Sequence, residues 1–312
     1  MGTRRKRRIA ALAAVIVAVA IGGLALLRAV PGFGELVTEA TAWGARLGGA
    51  GPTAYQSAPG SAPSTSTSTA TASEPAADPR PLHVVALGDS VPAAALCHCA
   101  GYVEQLTTML QRATHRPGVV RNDADGGWTT ADVEQDLRGP GTSADITRAD
   151  LVVVEVGAND FDLSRVDDPA CLPAAGSPCW SETLANLRSG LTRIISTIRS
   201  LDRQDTLRIA VAGYWNVTVD GAVGRQRGPD FVSGSDELTR LVNQTIADVA
   251  QHDGALYIDA YAALKGVNGD QDPTANLLDD GDHPNAQGHA LLAQELYDTL
   301  TAAGAVGSWR TE

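Results

Sequence analysis

Four polar clusters carry residue types that fit one chemistry when brought together. The first is Gly88-Asp89-Ser90. A serine hydroxyl is a weak nucleophile and needs a neighbouring base. The second, Asp280-Gly281-Asp282-His283, supplies an imidazole that takes up a proton near neutral pH. Asp280, three residues before His283, is placed to orient the ring and stabilise its charged form, with Asp279 and Asp282 competing for that role. The third and fourth clusters offer hydrogen-bond donors. In Asn122-Asp123-Ala124-Asp125-Gly126-Gly127-Trp128-Thr129, Gly127 presents a backbone N–H with no Cβ in the way. In Gly157-Ala158-Asn159-Asp160 the donor is the Asn159 amide. With the Ser90 N–H these make three donors for a tetrahedral oxyanion, the need of acyl transfer, where losing one costs about 10²–10³ in kcat.

These residues lie far apart in sequence, so the elements between them must bring them together. Residues 82–87 (LHVVAL), 119–120, 151–156 (LVVVEV), 207–212 (LRIAVA) and 255–258 (ALYI) read as five strands, the third continuous enough to be buried on both faces. Between them, apolar residues at 184, 187, 191, 194, 195 and 198 mark one face of a helix over 181–201, with Ser181 as cap and Glu182 in its first turn. A second helix opens at Ser235, and a last one covers 286–301. Alternation of strand and helix implies a parallel sheet with helices on both faces. Sites in such sheets form beyond the C-terminal strand ends. That is where Ser90, Gly127 and Asn159 fall, and the His283 cluster follows the fifth strand. The segment after the fourth strand contributes no assigned residue. Gly-x-Ser-x-Gly is absent, because position 92 is Pro, so the α/β-hydrolase elbow is not supported.

Over residues 82–303 the chain resembles the SGNH, or GDSL, hydrolases. Gly88-Asp89-Ser90 matches block I, Gly127 the block II glycine, Gly157-Ala158-Asn159-Asp160 block III, and Asp280 with His283 the Asp-x-x-His of block V. The resemblance implies a three-layer α/β/α sandwich around a flavodoxin-like, five-stranded parallel sheet. It implies a triad of Ser90, Asp280 and His283, an oxyanion hole of Ser90, Gly127 and Asn159, and no metal or organic cofactor. The expected activity is that of a serine esterase or lipase acting on lipid, short-acyl or acetylated-polysaccharide esters. Two other readings use the same fold: an O-acyltransferase, and a non-catalytic carbohydrate-binding module. Val91 stands where many members carry Leu, and Trp128 beside the donor glycine is expected to wall the acyl pocket. His98, His115, His252 and His289 lie outside the motifs and are expected at the surface or in packing.

Charge and composition bound the partners. The 312 residues carry a formal charge of −12, and the first 30 hold six basic and no acidic residues, leaving −18 on the rest. Such a body is repelled by phosphate backbones, which argues against nucleic acid. Arg4 to Arg8 precede 19 uncharged residues, 9–27. As a helix that stretch spans about 28 Å, close to a bilayer core. Basic residues before it predict a cytoplasmic N-terminus and an extracytoplasmic body. Residues 1–30 are therefore expected to be a membrane anchor or, if cleaved near Ala40-Thr41-Ala42, a signal peptide. Residues 31–80, rich in Ser, Thr, Pro and Ala, read as a disordered linker, leaving 81–312 as the hydrolase domain. The four cysteines allow three pairings. Cys171 with Cys179, inside an insertion (161–180) placed to rim the cleft, is favoured, leaving Cys97 with Cys99; a metal site of Cys97, His98 and Cys99 is disfavoured by its spacing.

Overall fold

A computed structural model of the chain describes residues 80–310, apart from 167, 173 and 204. The anchor or signal segment (1–30) and, but for Arg80, the linker (31–80) lie outside the described residues. Five strands form one sheet: β1 (Leu82–Gly88), β2 (Gly118–Asn122), β3 (Leu151–Glu155), β4 (Arg208–Ala212) and β5 (Leu256–Ile258). All neighbours are parallel and the order is β2-β1-β3-β4-β5.

A strand such as β3, buried at every position, has no polar face for water and must be covered on both sides. Alternate side chains do divide between two cores. Val85, Leu87, Val152, Val154, Ile209 and Val211 pack with helices α2 (Thr130–Asp136), α3 (Pro140–Arg148), α4 (Pro178–Leu201) and α6 (Pro229–His252). Val84, Ala86, Leu151, Val153, Ala210 and Ala212 pack with α1 (Tyr102–Thr114), α7 (Ala260–Lys265), α8 (Ala286–Ala302) and α9 (Ala305–Ser308). The short helix α5 (Gly221–Gln226) lies between β4 and α6. The result is the three-layer sandwich expected from the sequence.

Two helix starts differ from expectation. Helix α4 begins at Pro178, and its cap is Ser177, whose hydroxyl accepts from the Cys179 N–H at 3.2 Å. The Ser181 hydroxyl instead donates to the Pro178 carbonyl, and Glu182 lies past the first turn. Helix α6 begins at Pro229, so Ser235 is buried within it and donates to the Val232 carbonyl. Proline at the first helical position has its φ preset and no N–H to lose, so it starts a helix before the apolar stripe begins.

The topology creates the crevice. From β1 the chain crosses to β2 on one side, then returns to β3 on the other. Helices leaving β1 and β3 therefore cover opposite faces and part at the strands' C-terminal ends. Contact there is close. Gly88 has φ +142°, and a Cβ on it would lie 1.9 Å from the Glu155 carbonyl oxygen. That carbonyl accepts the Asp89 N–H at 3.0 Å. Both disulfides, Cys97–Cys99 and Cys171–Cys179, are formed. Among the described residues no helix is long and apolar enough to cross a membrane.

Candidate active site

Ser90, on the turn after β1, and Asn159, on the turn after β3, line one small cavity of about 40 Å³ with Ala158, Leu163, Tyr214, Trp215 and Asp282. The histidine loop approaches the same end of the sheet, pinned at both ends. Leu278 N–H donates to the His283 carbonyl at 2.8 Å. Asn285 caps α8 by accepting from the Gln287 and Gly288 N–H groups, while its amide donates to the Ala275 and Leu277 carbonyls.

Within the loop, one Asp280 oxygen accepts the Asp282 and His283 N–H groups at 2.9 and 3.0 Å. The other lies 2.9 Å from His283 Nδ1, against 3.8 Å for Asp282. Asp279 lines a separate cavity with Asp220 and Leu278. Partial burial pushes the Asp280 carboxyl upward, but the two backbone donors and the imidazole outweigh it and hold it below its ordinary value. Ionised, it keeps a proton on Nδ1 and leaves Nε2 as the acceptor. A positive charge on the His283 ring favours the ionised form of buried Asp89, the residue before Ser90. Among the described residues no hydrogen bond joins the Ser90 hydroxyl to the His283 ring; such bonds are often long without substrate and tighten when it binds.

The three expected donors lie on separate turns, and Gly127 does not line the cavity that Ser90 and Asn159 share. Among the described residues neither the Ser90 nor the Gly127 N–H makes a hydrogen bond within the protein. Gly127 has φ +83°, yet nothing lies within 4 Å of where its Cβ would stand. Its glycine thus serves the left-handed backbone rather than steric clearance. Asn159 uses one amide N–H on the Trp128 carbonyl at 3.0 Å, which orients the group and leaves the second N–H for a ligand. Asp160 locks the turn to α2 by accepting the Thr130 N–H at 2.9 Å and its hydroxyl at 2.6 Å. Trp128 departs from expectation: its side chain packs against the core and does not line the cavity, and it is its carbonyl that meets Asn159.

Tyr214, Trp215 and Asn216 also line the cavity and were not singled out from the sequence. Their only signal was position, directly after the fourth strand. Beneath Ser90 lie two buried carboxyls. Desolvation raises Asp89 to about 6 despite bonds from the Tyr214 hydroxyl and the Val91 N–H. Burial and the Asp89 charge push Glu155 well above the usual carboxylate range. The insertion does reach the cleft, through Leu163. His98, His115 and His252 are exposed, whereas His289 is buried, stacked 6.2 Å from the Tyr102 ring, and lowered to about 4 by desolvation and then by the charge of His283. Ligand atoms of Cys97, Cys99 and His289 gather within 4.8 Å, but the two sulfurs are bonded to each other.

The sequence matches the GDSL-like lipase/acylhydrolase family over residues 86–291, which spans β1 to α8 and every residue of the site. The chain belongs to this family. It is accordingly a carboxylic ester hydrolase. No curated protein sequence matches it. Solved structures with the same GDSL hydrolase fold include the lipase Lip_vut3 from a goat rumen metagenome, with TM-score 0.52, 16% identity, and coverage of 70% of this chain and 97% of that one. A catalytic mutant of Axe2, an acetylxylan esterase from Geobacillus stearothermophilus, gives TM-score 0.51 and 19% identity over 75% of this chain and 98% of that one. The lipase/acylhydrolase from Enterococcus faecalis gives TM-score 0.50 and 21% identity over 71% and 96%.

Proposed function

We propose that the protein is an exported serine esterase for short-acyl esters, acetyl esters first among them, with Ser90, His283 and Asp280 as its triad. The Ser90 oxygen attacks the ester carbonyl carbon while His283 Nε2 takes its proton. The resulting oxyanion receives the N–H groups of Ser90, Gly127 and Asn159. The C–O bond to the alcohol breaks as His283 returns the proton to the leaving oxygen. Water, deprotonated by the same imidazole, then hydrolyses the acyl-serine and releases the carboxylic acid. The observation that carries this reading is the shared cavity of Ser90 and Asn159 at the end of β1 and β3, lined also by Asp282, the chain neighbour of an imidazole that lies 2.9 Å from the Asp280 carboxylate. The small cavity, of about 40 Å³, favours an acetyl group over a long acyl chain. Acetylated polysaccharide fits that preference, and acetylxylan is the substrate class named for one structural neighbour.

Export rests on the basic and then apolar N-terminal sequence and on the two disulfides, which persist in oxidising compartments. Hydrolysis by intact cells of an ester too polar to enter them checks it. For the activity itself, the full chain is expected to cleave p-nitrophenyl acetate much faster than the octanoate, and Ser90→Ala to abolish turnover. Unchanged turnover in Ser90→Ala removes the nucleophile; preference for octanoate removes the acyl-size argument.

A further inference from the structure

We propose that Tyr214 is a positioning residue for catalysis, its hydroxyl clamping the nucleophile turn and the oxyanion turn together one residue away from Ser90 and Asn159. The phenol donates to Asp89 Oδ2 at 2.6 Å. The same oxygen accepts the Ala158 N–H at 3.3 Å. Asp89 directly precedes Ser90, and Ala158 directly precedes Asn159. One atom from a third segment therefore sets the spacing between the attacking oxygen and a donor for the charge it creates.

The sheet cannot set that spacing. The ladder between β1 and β3 ends at Gly88 and Glu155, and the last backbone bond is the Asp89 N–H to the Glu155 carbonyl. Past that point each turn closes on its own backbone, as in Ala93 N–H to the Asp89 carbonyl and Asp160 N–H to the Gly157 carbonyl, and among the described residues no backbone bond joins one turn to the other. Tyr214 is itself fixed: its N–H donates to Asn243 Oδ1 at 2.8 Å, and the Asn243 amide donates back to its carbonyl at 2.7 Å. Its ring is 2% exposed, so the hydroxyl has no solvent alternative. The chain runs one way, from amide to hydroxyl to carboxylate, and each donation polarises the next. Burial and then the Asp89 charge hold the phenol well above its ordinary value, so it stays protonated and remains a donor.

The inference rests on the proposed roles of Ser90 and Asn159, and its test separates the two. Full-length Tyr214→Phe is compared with wild type and Ser90→Ala on p-nitrophenyl acetate, with melting temperature measured in parallel. Phenylalanine keeps the ring and deletes the clamp. Misplacement of reacting groups by even about 1 Å can cost 10²-fold. The expected result is a fall in kcat of about 10- to 100-fold at a KM within about twofold of wild type, because binding contacts remain. Wild-type kcat in Tyr214→Phe, or a loss confined to melting temperature, overturns the clamp. Turnover surviving in Ser90→Ala overturns the site assignment instead. If Tyr214→Phe fails to fold, Asp89→Ala gives the same reading: it removes the acceptor, so the phenol touches only the oxyanion turn through the Ala158 N–H, and wild-type kcat there also overturns the clamp.

Discussion

Replacing Asp280 by Asn tests the orientation of His283, the proposed base, with little change of shape. One carboxylate oxygen already accepts two backbone N–H groups, from Asp282 and His283. In the amide only the oxygen can accept, so these two donors fix which way the side chain lies. The NH₂ group is then forced onto the position 2.9 Å from His283 Nδ1. It donates to that nitrogen, and the ring proton moves to Nε2, the atom meant to take the serine proton. The same tautomer error in a serine triad lowers kcat by about 10⁴, or roughly 5 kcal/mol of transition-state stabilisation. The assay is steady-state hydrolysis of p-nitrophenyl acetate, with melting temperature expected close to wild type because both backbone bonds survive. Asp282→Asn is the companion variant; at 3.8 Å its carboxylate makes no hydrogen bond to the ring, and a change under about tenfold is expected. If Asp280→Asn keeps kcat within tenfold of wild type while Asp282→Asn loses it, the orienting carboxylate is Asp282 and the geometry has been misread.

Two stability predictions follow. Asp89 binds its proton more tightly when folded, at about 6 against 3.8, so its contribution is complete below about 3.8 and is lost as pH rises through about 6. That difference corresponds to about 3 kcal/mol. Glu155 shifts in the same direction and titrates together with Asp89 amid Tyr102, Tyr214, Asp282 and His283. Denaturant midpoints of wild type are therefore expected to fall relative to Asp89→Asn between pH 4 and 7, and parallel curves would falsify the buried-pair account. At the opposite end of the sheet, buried Asp150 accepts from the His83 N–H and pairs with buried Arg116. Asp150→Ala should cost about 3–5 kcal/mol by leaving that buried guanidinium with no carboxylate, only the Arg80 and Pro81 carbonyls. The kcat of the folded protein should not change, and a loss under 1 kcal/mol would mean that Arg116 finds other partners.

The sheet was legible in the sequence, and the candidate site residues could be named from it, because both depend on local pattern. A short β-branched run such as LVVVE favours an interior strand, and Ser90, Asn159 and His283 stand in motifs a few residues long. The disulfide partners were legible for the same reason, since Cys171 and Cys179 bracket a short loop. Helix starts at Pro178 and Pro229 were missed because the apolar stripe reports where a helix touches the sheet, not where it begins. Trp128 was misjudged because sequence gives a residue's size but not its direction.

What only the tertiary structure decided is every relation across the crevice. Three aspartates around His283 are equivalent in sequence, and the turn of the loop alone brings Asp280 to 2.9 Å. Tyr214 carries no motif, and its importance comes from meeting Asp89 across 125 positions. Such contacts arise because parallel strands bring distant segments to one edge, and the partner is chosen by sheet order rather than by spacing along the chain. The sequence determined which groups were available for acyl transfer, and the order β2-β1-β3-β4-β5 decided which of them meet.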